Sequence, residues 1–297
     1  MLCECSRTTS SSYSAKGCEE VRIMKKTHSG PNQSSRLNSV SKLTLEATEH
    51  SPRPMSLDGL VTIVTGGGRG IGRAVACTLA SEGARVVACS RTKEELARTA
   101  ETINDLGGTC ETICADVSNP SQVADLVKQV QEKHSRIDVL VHCAGYTAPY
   151  GPLEEVSLED YENTMDTNAG SLFYFARSLV PIMRSQERGM IVAMSSGAGL
   201  RGHARLGVYS MSKFAVQGLI QALAGELEDS PVSCIAINPG GVATKMLEDL
   251  FGKEEAQKNQ PPEAVANVVK QVVSGELPVP SGGGVVVRRD EVRVYER

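Results

Sequence analysis

The chain has 297 residues, of which 40% are hydrophobic and 22% charged, a balance typical of a globular protein. Its formal net charge of -4 provides no overall attraction to nucleic acid or to an anionic membrane. No apolar stretch approaches the about 20 residues that cross a bilayer, and nine scattered cysteines form no disulfide or metal-ligand pattern. We therefore expect a cytoplasmic protein with no metal ion, nucleic acid or membrane as a partner.

Residues 1–54 differ from the rest of the chain in composition. They are rich in Ser and Thr, mildly basic and without a sustained apolar period, so we expect a disordered extension. A transit peptide to a plastid or mitochondrion is the functional alternative, because such peptides are rich in Ser and Arg. Acidic residues oppose this alternative: Glu4, Glu19, Glu20, Glu46 and Glu49. Met55 begins what has the features of a complete domain, so an upstream start-site artefact is a further explanation.

From Met55 onward, short apolar runs alternate with helical patterns, which predicts one α/β domain with a doubly wound parallel sheet over residues 55–297. The runs are continuous rather than alternating, as expected for strands that are covered by helices on both faces. The predicted strands are Leu60–Thr65, Arg85–Ser90, Cys110–Ala115, Ile137–Cys143, Met190–Met194, Val232–Ile237 and Gly284–Val287. The first predicted helix follows the glycines after the first strand and ends near Ala80. The other predicted helices are Lys93–Leu106, Ser121–Lys133, Leu158–Met183, Val208–Leu227 and Pro262–Ser274.

A glycine-rich turn joins the first predicted strand to the first predicted helix, from Thr65-Gly66 to Gly70-Ile71-Gly72. Glycines let the backbone approach a pyrophosphate closely, and the N–H groups at the helix N-terminus can then bind that anion. Glycine also marks ordinary turns, so the position at the start of an α/β domain is what makes the cluster informative. The pattern predicts a dinucleotide-binding turn, with a plain connecting turn as the alternative.

The end of the second predicted strand indicates which dinucleotide binds. An NAD site commonly has a carboxylate about 20 residues beyond the turn, where it accepts a hydrogen bond from the ribose 2′-OH. Cys89-Ser90-Arg91-Thr92 carries no carboxylate, and both Arg91 and Arg69 can make charge-assisted hydrogen bonds to a 2′-phosphate. We expect NADP(H) rather than NAD(H). In the alternative, Arg91 is only a solvated residue at the start of a helix.

Tyr209 and Lys213 are four residues apart on a predicted helix and therefore lie on one face. A phenol has an ordinary pKa near 10, and a neighbouring ammonium favours the phenolate, so the pair predicts a general acid/base with a lowered Tyr209 pKa. Ser195-Ser196 ends the preceding predicted strand, where a hydroxyl could polarise the same carbonyl. The Tyr-Lys pair alone is weak evidence, because this spacing occurs by chance in many helices.

In their order and spacing, these motifs resemble those of the short-chain dehydrogenase/reductase family, the single-domain Rossmann-fold branch with a Tyr-x3-Lys site. The resemblance covers the chain from Met55 onward. It implies that Ser196, chosen over Ser195 by its spacing to Tyr209, is the catalytic serine and that Tyr209 is the acid/base. It also implies that Lys213 assists Tyr209 and binds the nicotinamide ribose, and that Asn168 supports a water in the proton relay. The cofactor-binding residues that it implies beyond the glycine turn are Ser90, Arg91, Asp116 (on adenine), Val117, Ala144, Gly145, Lys213, Pro239, Gly240, Val242 and Thr244.

The chain departs from the family after the fourth predicted strand. The family usually has Asn-Asn-Ala-Gly there, and this sequence has His142-Cys143-Ala144-Gly145. Since the two amides tie strands together in the family, we expect their loss to affect local sheet stability more than chemistry. A catalytic or metal-binding His142 is the alternative, but His142 lies in an apolar run without a nearby set of ligands.

The resemblance implies a reductase for a ketone or a 3-oxoacyl thioester, with a small carbonyl or alcohol as substrate and a hydride supplied by NADPH. An alcohol or steroid dehydrogenase working in the oxidative direction is one alternative. A non-enzymatic, NADP-sensing partner protein is another, and the intact set of Ser196, Asn168, Tyr209 and Lys213 opposes it.

Two segments are expected to cover the substrate, Tyr146–Pro152 and Lys245–Lys258, and both are predicted to be loops. Their apolar side chains could form a pocket wall or could be packed surface residues: Tyr146, Tyr150, Met246, Leu250 and Phe251. The resemblance also implies a homodimer or homotetramer built on the helices around 158–183 and 208–227.

Overall fold

The computed structural model describes residues 56–296, and the expectations for residues 1–54 lie outside this part of the chain. The described strands form one sheet: β1 (Val61–Thr65), β2 (Arg85–Ser90), β3 (Thr109–Cys114), β4 (Val139–His142), β5 (Gly189–Met194), β6 (Val232–Pro239), β7 (Gly284–Arg288) and β8 (Glu291–Tyr295). Every strand that was predicted from an apolar run is present, and its ends differ by no more than a residue or two.

The helices of the described residues follow the predicted order with two differences. They are α1 (Gly70–Ser81), α2 (Lys93–Asp105), α3 (Pro120–His134), α4 (Leu158–Met165), α5 (Ser171–Ser185), α6 (Gly207–Glu226), α7 (Lys245–Phe251), α8 (Lys253–Gln257) and α9 (Pro262–Ser274). The stretch predicted as one helix over 158–183 contains a π-turn at Asp166–Gly170, where the Ser171 N–H donates to the Asp166 carbonyl five residues earlier. The segment 245–258 contains α7 and α8 instead of a loop.

Local helix signals explain why the segment after β6 is helical. The Thr244 hydroxyl accepts a hydrogen bond from the Leu247 N–H at 3.4 Å and caps the start of α7. Gly252 has a φ of +85° and separates α7 from α8. The prediction of a loop over 245–258 is therefore wrong.

The strands lie in the order β3-β2-β1-β4-β5-β6-β7-β8. Neighbouring strands from β3 to β7 are parallel, which confirms the predicted doubly wound parallel sheet. The chain order reverses between β1 and β4, and in such sheets ligands bind in the crevice at the carboxyl ends of the strands on either side of this point. The glycine turn follows β1, so the fold places it at this crevice.

β8 was not predicted, and it pairs antiparallel with β7 at the edge of the sheet. Its sequence, Glu-Val-Arg-Val-Tyr, alternates polar and apolar residues, whereas the predicted strands are continuous apolar runs. Alternation is typical of a strand with one covered face. The Tyr295 hydroxyl accepts hydrogen bonds from Gln217 and Asn238 at 2.6 and 2.7 Å, which fastens β8 to α6 and β6.

Two aliphatic cores lie on opposite faces of the sheet. One packs α1, α2 and α9 against the sheet, and the other packs α3, α5 and α6. Val, Ile, Leu and Ala supply most of both cores, and Phe175 is the largest of the fully buried side chains. Each fully buried Val, Leu, Ile or Phe contributes about 1.5–3 kcal/mol, so coverage of both faces accounts for the continuous apolar strands.

Residues 56–296 lack two kinds of feature. None of the helices there is both long and apolar enough to cross a membrane. The same part of the chain contains no group of three or more His, Cys, Asp or Glu side chains placed to hold a metal ion.

Candidate active site

The glycine turn between β1 and α1 exposes bare backbone at the carboxyl edge of the sheet. Gly66 and Gly70 have φ values of +64° and +55°, in the left-handed region that favours glycine. A Cβ on Gly72 would lie 2.2 Å from the Gly66 carbonyl oxygen, so no side chain fits there. Thr65 Oγ1 accepts a hydrogen bond from the Ala144 N–H at 2.9 Å and joins the ends of β1 and β4. A ligand can therefore approach main-chain atoms directly.

The N-terminus of α1 continues this surface. Arg69 occupies the N-cap position in an extended conformation, and no side chain of the described residues caps the first turn. The first N–H groups of a helix have no partner within it, so those of Gly70, Ile71 and Gly72 can bind an anion at the positive end of the helix dipole.

A carboxylate lies beside the turn, although the segment 89–92 itself carries none. The Arg69 guanidinium lies 3.8 Å from the carboxylate of Glu95, a residue in the first turn of α2. A Cβ on Gly68 would lie 3.1 Å from Glu95 Oε2 and 3.0 Å from Ser90 Oγ. Arg91 is exposed at the end of β2. Sequence reasoning missed Glu95 because it considered the end of the strand and not the helix that follows.

Asp116 follows β3 at the same edge of the sheet. Its Oδ1 accepts hydrogen bonds from the Ser118 N–H and hydroxyl at 3.0 and 2.7 Å, and its own N–H donates to Gln122. Val117 beside it is buried. The Asp116 carboxylate is thus held in one orientation, and its Oδ2 takes no part in these bonds.

The two serines at the end of β5 have different partners. Ser195 Oγ donates to the Lys213 carbonyl at 3.1 Å. Ser196 Oγ accepts from the Ala198 N–H at 3.1 Å, and the Ser196 side chain lies beside the phenol of Tyr209 and favours its ionised form. Of the two serines, Ser196 is therefore the one whose hydroxyl meets Tyr209.

Tyr209 and Lys213 share one face of α6, but their electrostatics differ from the expectation. The Lys213 Nζ lies 5.7 Å from the centroid of the Tyr209 ring and donates to the Met194 carbonyl at 2.9 Å. Burial lowers the pKa of Lys213 to about 8. Burial also raises the pKa of Tyr209, and the neighbouring Ser196 only opposes this rise. The predicted fall of the Tyr209 pKa is not found, because burial outweighs the effect of Ser196.

Asn168 lies in the π-turn and is fully buried. Its Oδ1 accepts from the Tyr146 N–H at 2.8 Å, and its Nδ2 donates to the Tyr146 carbonyl at 2.9 Å. Nδ2 also donates to Ser212 Oγ at 2.8 Å, and Ser212 donates to the Tyr209 carbonyl at 2.8 Å. Asn168 therefore connects the loop after β4 to α6. Sequence reasoning missed Ser212, since one serine in a helix carries no distinctive signal.

Gly145 leaves space between the side chains of Asn168, Met246 and Lys213. A Cβ at this position would lie 3.4 Å from Asn168 Oδ1, 3.7 Å from the Met246 methyl group and 3.8 Å from Lys213 Nζ. Met246 and Leu250 on α7 are half-buried. The absence of a side chain at Gly145 therefore keeps the approach to Lys213 open.

The backbone pairing of β4 with β1 and β5 extends to His142, whose side chain contacts α5. Its Nε2 lies 2.6 Å from Ser171 Oγ, and its ring packs edge-on against Phe175 with centroids 6.3 Å apart. Burial lowers the pKa of His142 to about 3, and the charge of Lys213 acts in the same direction. The imidazole is therefore neutral at ordinary pH.

The segment after β6 returns to the glycine turn. Pro239 ends β6, and the Gly240 N–H donates to a carbonyl of β7 at 2.8 Å. Val242 is buried. A Cβ on Gly70 would lie 3.3 Å from the Thr244 methyl group, so this segment lies beside the N-terminus of α1.

Aromatic side chains connect the loop after β4 with the end of α7. The rings of Tyr150 and Phe251 are 5.1 Å apart in a T-shaped arrangement, and the Arg205 guanidinium lies 5.8 Å from the Tyr150 centroid. The Tyr146 hydroxyl donates to Asp160 Oδ1 at 2.6 Å, and this bond chiefly raises the pKa of Tyr146 to about 12. Tyr150 and Phe251 thus remain candidates for a pocket wall, whereas the Tyr146 hydroxyl is bound to α4.

A doubly wound sheet with a glycine turn at its switch point, next to a Ser-Tyr-Lys group, is the architecture of a nicotinamide-dependent oxidoreductase. The family model for the short chain dehydrogenases matches residues 60–255, and the chain belongs to this family. Members of the family bind a nicotinamide cofactor and are oxidoreductases acting on carbonyl or CH–OH groups.

Individual relatives carry out several reductions. The chain is 33% identical over 229 residues to an NADPH-dependent pterin aldehyde reductase of Arabidopsis thaliana, covering 76% of this chain and 92% of that protein. It is 33% identical over 247 residues to the 3-oxoacyl-[acyl-carrier-protein] reductase FabG of Thermotoga maritima, covering 78% of this chain and 100% of that protein. A metagenomic short-chain oxidoreductase solved in complex with NADP has a TM-score of 0.66 and 32% identity, covering 74% of this chain and 93% of that chain.

Proposed function

We propose that this chain is an NADP(H)-dependent reductase of a ketone or a 3-oxoacyl thioester. The observation that carries the proposal is the position of the Ser196 hydroxyl beside the Tyr209 phenol, with Lys213 buried near the same ring. These groups follow β5 and lie at the edge of the sheet where the glycine turn follows β1. The arrangement supports proton transfer to a carbonyl oxygen next to a bound nicotinamide.

Ser196 and Tyr209 act together on the carbonyl oxygen. Both hydroxyls hydrogen-bond to it as negative charge develops, and Tyr209 donates its proton. Because burial raises the pKa of Tyr209, the phenol favours the protonated form that can donate. Oxidation of an alcohol runs through the same groups in reverse and requires the deprotonated phenol.

Lys213 and Asn168 restore the proton that Tyr209 gives up. The pKa of Lys213 is lowered to about 8, so its ammonium can exchange a proton close to neutral pH. Asn168 supports the water that leads to Lys213, and its hydrogen bonds to Tyr146 and Ser212 keep that part of the chain in place.

The residues present fit a dinucleotide. From Thr65 to Gly72 the turn offers backbone without side chains, and a Cβ at Gly72 would meet the Gly66 carbonyl at 2.2 Å. When bound, the nicotinamide supplies the hydride or, in the reverse direction, accepts it. Asp116 and Val117 would hold the adenine, and Lys213 the nicotinamide ribose. The remaining contacts are assigned to Ser90, Ala144, Gly145, Pro239, Gly240, Val242 and Thr244.

Arg69 and Arg91 support NADP(H) over NAD(H). Both are exposed next to the turn, where they can bind a 2′-phosphate. The Glu95 carboxylate opposes that phosphate, but it also holds Arg69 near the turn at 3.8 Å. Two cations and one anion next to the expected 2′-phosphate favour NADP(H) over NAD(H).

We also propose that the protein is a homodimer or homotetramer built on α5 and α6. These helices expose Phe173, Phe214 and Met211, with 50%, 46% and 43% of their surface accessible. Exposed large apolar side chains on long helices are candidates for such an interface. Sedimentation of the full-length protein should give a dimer or a tetramer, and a Phe214→Glu variant should give a smaller assembly. A wild-type monomer would reject this assembly.

The test of the proposed reaction is a steady-state assay of the full-length protein with ketones, aldehydes and acetoacetyl thioesters. We expect oxidation of NADPH with at least one class, and a kcat/KM lower with NADH by about 10-fold. Activity found only with secondary alcohols and NADP⁺ would reject the reductive assignment. Failure to bind either cofactor would reject the assignment of the glycine turn.

A further inference from the structure

The π-turn that carries Asn168 deprives one main-chain carbonyl of its helical partner. In a regular α-helix the Ser171 N–H would donate to the Thr167 carbonyl, four residues earlier. Here that N–H donates to the Asp166 carbonyl instead. The Ser171 hydroxyl replaces it and donates to the Thr167 carbonyl at 2.6 Å. The Ser171 side chain thus closes the turn that the main chain leaves open.

His142 extends this hydrogen-bond chain from β4. Its Nε2 lies 2.6 Å from Ser171 Oγ, and both residues are fully buried. Because the Ser171 proton points to Thr167, the serine must accept from the imidazole, so the His142 proton is on Nε2. Burial lowers the pKa of His142 to about 3, so this neutral tautomer persists across the working pH range.

The second nitrogen of the same ring makes no hydrogen bond to another residue. The His142 Nδ1 is buried and has no hydrogen-bond partner on any other residue of 56–296. A buried polar atom without a partner is unfavourable, and the hydrogen bond of Nε2 with Ser171 is the interaction that offsets this cost. The hydrogen bond between Nε2 and Ser171 is the one that joins the His142 side chain to another residue of the described structure.

We propose that His142 is a positioning residue for Asn168. The chain of bonds from His142 through Ser171 to Thr167 holds the π-turn, and the π-turn directs the Asn168 amide to Tyr146 and Ser212. The proposal rests on the proposed function, because the effect on turnover passes through the proton relay. It gives a role to the residue that stands where the family has an asparagine.

The test compares His142→Gln with His142→Met in the full-length protein. The two side chains have almost the same length and volume, and Gln Nε2 can take the place of the imidazole Nε2 and donate to Ser171. Met fills the space but cannot donate. We expect kcat to stay within about 3-fold of wild type for Gln and to fall about 10-fold or more for Met, since small displacements near the chemistry are costly. KM and the Kd of NADPH should change by less than about 3-fold in both variants.

Ser171→Ala tests the same chain of bonds from its other end. It should lower kcat as much as His142→Met does, and the double variant should be no slower than the slower single variant. Losses that multiply in the double variant would overturn the proposal. Equal kcat values for the Gln and Met variants, with a change only in Tm, would show a packing role and would also overturn it.

Amide hydrogen exchange separates this proposal from a failure of the proposed reaction. Peptides that cover residues 166–172 should exchange faster in His142→Met than in His142→Gln, whether or not any carbonyl is reduced. Leu140→Met is the matched control, because Leu140 is equally buried two residues earlier on β4. Equal exchange in the Gln and Met variants would overturn the role of His142, whereas an absence of turnover in the wild type would count against the proposed function only.

Discussion

The glycine turn and the cluster around Tyr209 lie at the same edge of the sheet but are built in opposite ways. The turn depends on side chains that are absent: a single added Cβ at Gly72 would meet the Gly66 carbonyl at 2.2 Å. The cluster depends on side chains that are present, brought together from β5, the π-turn and α6. The turn is therefore sensitive to an added atom, and the cluster to the loss of a particular one.

The largest effect is expected from removal of one oxygen from the cluster. Tyr209→Phe should lower kcat by about 10²–10⁴-fold, because it removes the proposed general acid. The Kd of NADPH should change little, because the glycine turn is untouched. Stopped-flow turnover and fluorescence titration measure the two quantities. Tyr161→Phe, at an exposed tyrosine of α4, is the control and should keep wild-type kcat. Normal turnover by Tyr209→Phe would remove Tyr209 from its proposed role.

The converse change adds one carbon to the turn. Gly72→Ala should lower the free energy of unfolding by about 3 kcal/mol, because its Cβ would collide with backbone that cannot move aside. Urea denaturation measures this loss, and NADPH binding should weaken with it. Gly202→Ala is the control: its Cβ would meet nothing within 4 Å, so stability should stay within about 0.5 kcal/mol. A fully stable Gly72→Ala would show that the turn can relax.

Lys213 tests the electrostatic side of the cluster through pH. Burial lowers its pKa to about 8, whereas an unfolded lysine titrates near about 10.4. Below about pH 8, Lys213 is charged in both the folded and the unfolded state, so burying the charge lowers the stability of the folded state by its full amount. Above pH 8 the unfolded state binds more protons, so wild-type stability should rise relative to Lys213→Met, by about 2 kcal/mol between pH 7.5 and 9.5. Urea titrations at several pH values measure the difference. A difference independent of pH would mean that Lys213 titrates normally.

The smallest effects are expected at the charged border of the turn. Arg91→Ala should weaken NADPH binding about 10-fold and leave NADH unchanged, because only NADPH carries the 2′-phosphate. Glu95→Gln should strengthen NADPH binding by about 3-fold, since it removes the opposing charge. Lys128→Ala, at an exposed cation of α3, is the control for net charge. Equal effects of Arg91→Ala on the binding of both cofactors would show that Arg91 does not bind the 2′-phosphate.

Features with a local signal were predictable. Continuous apolar runs predicted β1 to β7, and the spacing of Tyr209 and Lys213 placed both on one face of a helix. Features that depend on distant partners were not. The π-turn uses the Ser171 hydroxyl and a histidine from β4, and Glu95 reaches the glycine turn from α2. β8 was not predicted because it alternates polar and apolar residues, whereas the predicted strands are continuous apolar runs.

The sequence by itself determined the doubly wound class, the glycine turn and the order of the residues in the Tyr-Lys motif, because each depends on neighbouring residues and on periodicity. Only the tertiary structure decided the charges and the hydrogen-bond partners. Burial raised the pKa of Tyr209 against the expected effect of the neighbouring ammonium, and it lowered the pKa of Lys213. Packing also chose Ser171 as the partner of His142 and Ser212 as the partner of Asn168. Desolvation and hydrogen bonding depend on which atoms lie close in space, and no local pattern along the chain encodes that proximity.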